Sequence, residues 1–161
     1  MNNKSKNNKA MEKAIILARK TMFDDEGGPF GAAVLDPHGK IIGLASNSVL
    51  AEQDPTAHAE INAIRKACQV LGTHDLTGCT LVTTCYPCPM CLGAIIWANI
   101  KDVVYGCRTE DAEAIGFRDD FIYKFIKDGN QDKEILILSE ESREQCLELF
   151  NEYKESDKTI Y

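Results

Sequence analysis

Long hydrophobic runs are missing from this sequence of 161 residues. No stretch approaches the roughly 18 uninterrupted apolar residues that a membrane-spanning helix requires, so a membrane partner is not expected. Residues 1–9 are polar and rich in asparagine and lysine, and they lack the apolar run of a signal peptide. We therefore expect a cytoplasmic protein. Internal repeats and a linker are also absent, and we expect residues 1–161 to form a single domain.

An excess of basic residues is missing too, since the formal net charge is −7 at pH 7. Proteins whose main partner is a phosphate backbone usually carry basic patches that release counterions. The lysines near the C-terminus are instead scattered among acidic residues, which is typical of a solvated mixed surface. We therefore do not expect nucleic acid as the main partner.

The cysteines do not suit a disulfide framework, because there are seven of them. Three of the seven, Cys85, Cys88 and Cys91, lie within one short segment, which in a non-secreted chain indicates a metal site. The other four are isolated in sequence and are expected to be small buried hydrophobic residues, namely Cys68, Cys79, Cys107 and Cys146.

Two short motifs supply the side chains of a water-activating metal site. His58, Cys88 and Cys91 offer one imidazole and two thiolates, which zinc accepts, and a catalytic zinc site uses three protein ligands plus water. Glu60 follows His58 by two residues, about 200° around a helix, so both side chains cannot bind one metal side by side. Glu60 is therefore free to move protons.

Periodicity predicts an α/β protein in which helices alternate with strands. The pattern favours a mostly parallel sheet flanked by helices, with the first two strands paired as an antiparallel hairpin around a type I turn at residues 36–39. The predicted helices are residues 9–24, 57–71, 87–99, 117–127 and 141–153, and the predicted strands are residues 32–35, 40–47, 79–84, 102–106 and 134–138.

Both halves of the predicted metal site fall at the beginnings of helices. His58 and Glu60 lie in the first turn of one helix, while Cys88 and Cys91 lie in the first turns of another. Helix N-termini carry a positive partial charge that favours thiolate over thiol. Both sulfurs are therefore expected to be prepared for a metal ion.

The predicted chemistry is hydrolytic. Zinc lowers the pKa of bound water towards about 7, and the resulting hydroxide can attack an amidine-like ring carbon. Glu60 can take the proton from water, pass it to the adjacent ring nitrogen and then protonate the departing amine. One alternative is a closed structural zinc site with Cys85 as fourth ligand. Another is that His58 and Glu60 simply occupy a helix start, where acidic residues are common.

Several segments of the sequence carry a resemblance to a known family, namely Gly28-Pro-Phe-Gly31, Asp54-Pro-Thr-Ala-His-Ala-Glu60, Ile64-Arg-Lys-Ala-Cys68, Cys88-Pro-Met-Cys-Leu-Gly-Ala-Ile95 and Gly116-Phe117 with Asp119 beyond. Through them the chain resembles the cytidine deaminase superfamily and, within it, the bacterial guanine deaminases. The resemblance implies a three-layer α/β/α sandwich around a five-stranded mixed sheet, and zinc-dependent conversion of guanine to xanthine and ammonia. The alternatives are a tRNA adenosine deaminase or a deaminase of another base or nucleoside, such as guanosine or cytosine.

The same resemblance implies three contacts with the purine. Phe30 would stack on the ring, Asn47 would hydrogen-bond its edge, and Asp119 would accept hydrogen bonds from N1–H and the 2-amino group of guanine. Each residue also has a simpler interpretation: Phe30 as a core residue, Asn47 as a strand-end cap and Asp119 as a helix-start acid.

The resemblance further implies a homodimer that exchanges residues 153–161, with Tyr161 completing the site of the partner. A free tail is the alternative. Trp97 is expected in the core or at a dimer interface. One departure from the family is Tyr86, because relatives usually carry glutamate immediately before the Pro-Cys pair. This difference affects the surroundings of the metal and leaves its ligands unchanged.

Overall fold

A mixed β-sheet and the helices on its two faces position every residue of the predicted metal site. The computed structural model describes residues 3–160. Within that range the helices are α1 Asn3–Phe23, α2 Val49–Glu52, α3 Ala59–Leu71, α4 Pro89–Trp97, α5 Thr109–Ala114, α6 Asp120–Lys127 and α7 Arg143–Glu155, and the strands are β1 Gly31–Leu35, β2 Ile41–Ser46, β3 Thr80–Cys85 and β4 Asp102–Cys107.

The sheet has the strand order β2-β1-β3-β4. β1 is antiparallel to both of its neighbours, β2 and β3, whereas β3 and β4 are parallel. The predicted hairpin is confirmed, and its turn is closed by a hydrogen bond from the Gly39 N–H to the Asp36 carbonyl over 2.8 Å. The prediction of a mostly parallel sheet is wrong, because β3 pairs with β1 in the antiparallel sense and only the β3–β4 pair is parallel.

The predicted fifth strand, residues 134–138, is not a strand in the described structure. The N–H groups of Ile135 and Leu136 both bond to the Asp132 carbonyl, so this segment forms a local turn and not a ladder. Ile137 is 72% exposed. The apolar residues of this segment suit a strand, but they are not buried because the segment has no pairing partner among the described residues. The described sheet therefore has four strands and not five.

Side chains alternate between the two faces of the sheet, as strand geometry requires. On one face, Ala33, Leu35 and Val82 form a cluster with Ala10 of α1. On the other face, a larger cluster packs against α3 and extends to α4, and it includes Ala32, Val34, Ala63, Leu81 and Ile95. The predicted three-layer α/β/α arrangement is confirmed for this part of the chain.

Close packing of α3 on the sheet depends on a glycine. A Cβ atom on Gly43 of β2 would lie 2.2 Å from the Ala63 carbonyl oxygen, a distance that real contacts do not show. Because Gly43 lacks this atom, α3 approaches the sheet closely, and the N-terminus of α3 carries the first metal motif.

The chain divides into two units, one ending at Tyr123 and one beginning at Lys124. The first contains the sheet with α1 to α5. The second contains α7, whose Leu149 and Phe150 side chains are exposed, and in which the Tyr153 hydroxyl donates a hydrogen bond to the Thr159 carbonyl. Among the described residues, no helix combines the length and the apolar character needed to cross a membrane.

Candidate metal centre

Two helix N-termini bring the predicted ligands together. His58 is the N-cap of α3 and Cys88 is the N-cap of α4, both with extended backbone conformations, and Pro89 occupies the first helical position of α4. An N-cap side chain usually accepts a hydrogen bond from its own helix. In the described structure neither His58 nor Cys88 does so, and their side chains point to a common centre with Cys91 instead.

The spacing of these three side chains suits a single ion. Their potential ligand atoms all lie within 4.8 Å of one another, and Nδ1 of His58 lies 3.6 Å from Sγ of both Cys88 and Cys91. Zinc bonds of about 2.0 Å to nitrogen and 2.3 Å to sulfur at tetrahedral angles give a nitrogen–sulfur separation of about 3.5 Å. Both nitrogen–sulfur distances therefore suit one tetrahedral ion.

The two sulfurs and the His58 imidazole influence one another's protonation. A hydrogen bond from Cys91, together with one from His58, lowers the pKa of Cys88 to about 4. The pKa of Cys91 is raised, first because it donates to Cys88 and then because it is buried. Hydrogen bonding to Cys88 also raises the pKa of His58, against the effect of burial. Binding of a divalent cation removes the remaining thiol proton.

Cys85 lies outside this group of ligands. Its sulfur donates a hydrogen bond to the Arg108 carbonyl over 3.5 Å, and burial raises the pKa of its thiol to about 11. A closed site with Cys85 as fourth ligand would require this thiol to leave its carbonyl and lose its proton. The geometry instead favours three protein ligands and an open fourth position.

Glu60 lies beside the three ligands without belonging to their group. The carboxylate is buried, with 6% of its residue surface exposed. Its Oε1 accepts a hydrogen bond of 3.0 Å from the Thr83 hydroxyl, and its Oε2 lies 3.6 Å from Sγ of Cys91. Burial raises the pKa of Glu60, which brings it towards the range in which a carboxyl group exchanges protons near neutral pH.

The loop between α1 and β1 packs against Asn47. The Asn47 side-chain oxygen accepts hydrogen bonds of 3.2 Å from the N–H groups of Gly28 and Val49, and its backbone N–H bonds to the Phe30 carbonyl. Within the described chain, the amide nitrogen of Asn47 has no acceptor, which leaves it available as a donor. The Phe30 ring is half-buried and meets the ring of Phe117 edge to face, with centroids 4.9 Å apart.

Asp119 lies at the start of α6, and its carbonyl accepts hydrogen bonds from Ile122 and Tyr123. The helix-start interpretation of Asp119 is therefore correct for its backbone. Its carboxylate is half-buried, and its pKa is raised by burial and then by the negative charge of Cys88. This mutual influence of Asp119, Cys88 and His58 indicates that the carboxylate lies near the metal ligands.

Comparison with known proteins identifies the family. Residues 4–107 match the model of the cytidine and deoxycytidylate deaminase zinc-binding region, which is more than half of the chain. The chain belongs to this family.

Three relatives show how far the similarity extends. A guanine deaminase of Bacillus subtilis (strain 168) is 51% identical over 72% of this chain and 74% of its own length. An X-ray structure of guanine deaminase from Bacillus subtilis covers 100% of this chain and 99% of its own, with 41% identity and a TM-score of 0.87. A tRNA-specific adenosine deaminase of Haemophilus influenzae is 34% identical over 93% of this chain and 86% of its own length.

Membership of a zinc-binding deaminase family agrees with the donor set. Two thiolates and one imidazole suit zinc better than magnesium or calcium, which prefer oxygen ligands. His58, Cys88 and Cys91 thus have the chemistry, the spacing and the family context of a zinc site.

The structure does not confirm the predictions made for Tyr161 and Trp97. Tyr161 lies outside the described residues, so its predicted role stays a prediction. Trp97 is 72% exposed in the single chain. The core interpretation of Trp97 is therefore wrong, because the buried residues of α4 are Cys91 and Ile95, and Trp97, the last residue of the helix, is not among them.

Sequence reasoning missed two side chains that contact the deaminase site. Thr83 bonds to Glu60, and the Tyr123 hydroxyl donates to the Pro87 carbonyl, next to Cys88. The alternation of β3 contained a signal for Thr83, since the position shares a face with the buried Leu81. Tyr123 had no comparable signal, because its contact joins segments that are distant in sequence.

Proposed function

We propose that this chain is a guanine deaminase that converts guanine and water to xanthine and ammonia. The observation that carries the proposal is the buried Glu60 carboxylate beside three zinc-type ligands, in a chain that matches a guanine deaminase structure along its whole length. The reaction breaks the bond between C2 and the exocyclic nitrogen of guanine and forms a C2–O bond.

Glu60 is the proposed proton carrier. When bound by His58, Cys88 and Cys91, zinc supplies a Lewis acid that makes water nucleophilic near neutral pH. Glu60 takes one proton from this water and gives it to the ring nitrogen beside C2. It then takes the second proton from the hydroxyl group newly formed on C2 and passes it to the amine, which leaves as ammonia as the C2 carbonyl forms. Burial supports this assignment, because it raises the pKa of the carboxyl group and allows it to accept and release a proton.

Phe30, Asn47 and Asp119 are the proposed purine-binding residues. Stacking by Phe30 would orient the ring, and the amide nitrogen of Asn47 would donate to an acceptor at the purine edge. The acceptor-only carboxylate of Asp119 suits the N1–H and 2-amino donors of guanine. These assignments are supported by the half-buried ring of Phe30, by the free donor of Asn47 and by the electrostatic influence of Cys88 and His58 on Asp119.

We also propose that residues 1–161 act as one deaminase domain and assemble as a homodimer. Residues 153–161 would be exchanged, and Tyr161 would contact the site of the partner. The exposed Leu149 and Phe150 side chains of α7 support an additional protein contact.

Mixing the Glu60→Ala chain with a chain that ends at residue 152 tests this assembly. We expect neither chain to be active alone. Activity in the mixture would require the tail of the Glu60→Ala chain to complete the site that contains Glu60 in the shortened chain. A cytoplasmic location stays a prediction.

An ammonia-release assay tests the substrate. The purified zinc-loaded protein is incubated with guanine, guanosine, cytosine or adenine, each at the same concentration. We expect rapid release from guanine only. Turnover of another base or nucleoside without turnover of guanine would reject the substrate and retain the hydrolytic chemistry.

A tRNA adenosine deaminase is the second candidate, because the Haemophilus influenzae protein of that activity covers most of this chain. The net charge of −7 opposes it. Filter binding of tRNA at increasing salt separates the two functions. Tight binding with a steep salt dependence would favour the tRNA enzyme.

A further inference from the structure

Thr83 presents a buried hydroxyl group in the middle of the sheet. It lies on β3, where it is paired with Ala32 of β1 and with Tyr105 of β4, and none of its surface is exposed. Burying a hydroxyl group is costly unless the group is hydrogen-bonded. Valine has nearly the same shape and would satisfy the packing of this position without a polar atom, so the hydroxyl needs a separate explanation.

The partner of this hydroxyl is the Glu60 carboxylate. Thr83 donates to Oε1 over 3.0 Å, while Oε2 lies 3.6 Å from Sγ of Cys91. The two oxygens thus have different neighbours, one on the sheet and one at the metal ligands. Turning the carboxylate about its last bond would lose the Thr83 contact, except at a half-turn that exchanges the two equivalent oxygens, so the hydrogen bond restricts the plane of the group.

We propose that Thr83 is a positioning residue that holds the Glu60 carboxylate in its orientation for proton transfer. This inference rests on the proposed function of Glu60. Thr83 occupies Oε1 and leaves Oε2 directed towards the side of the metal ligands, where the reacting water would be. Thr83 itself exchanges no proton with the substrate.

Kinetics of two Thr83 variants test this role in the zinc-loaded full chain. Thr83→Val removes the hydroxyl with little change in shape, and we expect kcat for guanine to fall at least about tenfold while KM and zinc content stay unchanged. Thr83→Ser restores a hydroxyl and should recover kcat to within a few fold of the unaltered chain. A purely structural role would lower stability without this separation of kcat from KM.

Thr80→Val is the matched control. Thr80 begins the same strand and lies one position before Leu81, so its side chain points to the face opposite that of Thr83. We expect its kcat to equal that of the unaltered chain. An unchanged kcat in Thr83→Val, or a loss that Thr83→Ser fails to restore, would overturn the proposal.

A double-mutant cycle on the metal-free protein provides a readout that does not depend on turnover. The free energy of unfolding is measured for Thr83→Val, for Glu60→Ala and for the double variant. If Thr83 binds Glu60, the Thr83→Val change should cost less stability in the Glu60→Ala background, because no partner is lost there. Additive effects would contradict the contact.

The substrate assay separates failure of this inference from failure of the proposed function. If guanine is not turned over, the same Thr83 variants are compared on whichever base or nucleoside is turned over. A lower kcat of Thr83→Val on that substrate would support the positioning role of Thr83 and would reject only guanine as the substrate. If the unaltered zinc-loaded chain turns over none of the four compounds, the proposed function fails and this inference fails with it.

Discussion

The Tyr123 hydroxyl donates a hydrogen bond of 2.8 Å to the carbonyl of Pro87. Pro87 directly precedes Cys88, the N-cap of α4, and Tyr123 lies one helical turn after Asp119. A single hydrogen bond therefore joins the segment that leads into two metal ligands to the segment that carries the proposed purine-binding carboxylate. Burial raises the pKa of Tyr123, so its hydroxyl keeps its proton and acts as a donor at neutral pH.

Tyr123→Phe should weaken substrate binding without removing the metal. Loss of this hydrogen bond lets the start of α6 shift relative to the Cys88 loop, and we expect KM for guanine to rise about five- to tenfold. Zinc content should stay at that of the unaltered chain. Tyr105→Phe is the control, because the exposed Tyr105 lies on β4 and packs edge to face on Tyr86. Equal KM values for all three proteins would contradict this role.

Glu60→Gln should abolish most activity and retain zinc. Glutamine keeps the size of the side chain and can still accept from Thr83, but it does not carry a proton between water and substrate. General acid–base catalysis contributes about 10²- to 10⁴-fold, and we expect kcat to fall by at least that amount. Metal analysis of the same samples should give the zinc content of the unaltered chain. Residual turnover near the original rate would reject Glu60 as the proton carrier.

The metal site could be predicted from the sequence because its residues lie in short motifs at the starts of helices. His58 and Cys88 are N-cap residues, and their helices are marked by nearby proline and by the end of a strand. The helical period does not extend to His58, because this residue is the N-cap of α3 with an extended backbone and lies one position before the helix, whereas Glu60 lies in the first turn. These features depend on a few neighbouring residues, and the structure groups His58, Cys88 and Cys91, with His58 and Cys88 one position before their helices and not within the first turns as predicted.

The pairing of strands and the contacts between segments that are distant in sequence were harder to predict. Residues 134–138 have the apolar composition of a strand, yet their burial depends on a partner that the described chain does not place beside them. The antiparallel pairing of β1 with β3 and the contact of Thr83 with Glu60 depend on the order of strands in the sheet. Alternation indicates a face of a strand, but it does not indicate which strand or helix lies opposite.

Zinc binding by cysteine variants should separate an open site from a closed one. Cys88→Ala removes one of the three grouped ligands, and we expect the variant to lose its zinc. Cys85→Ala should keep one zinc ion per chain, because the Cys85 thiol bonds to the Arg108 carbonyl. Metal analysis after dialysis provides the measurement for both variants. Loss of zinc from Cys85→Ala with an intact fold would favour the closed structural site.

Gly27→Ala should disturb the proposed purine site through Asn47. A Cβ atom at position 27 would lie 2.3 Å from Oδ1 of Asn47 and 2.5 Å from its carbonyl oxygen, and the backbone contact cannot be relieved by a side-chain rotation. We expect a loss of about 1–3 kcal/mol in the free energy of unfolding and a higher KM for guanine. Gly93→Ala is the control, because a Cβ atom there meets nothing within 4 Å and alanine favours the helix. Its stability should rise by about 0.5–1 kcal/mol, with an unchanged KM. Denaturant unfolding and steady-state kinetics on both variants measure these effects, and an unchanged Gly27→Ala protein would mean that the loop moves freely away from Asn47.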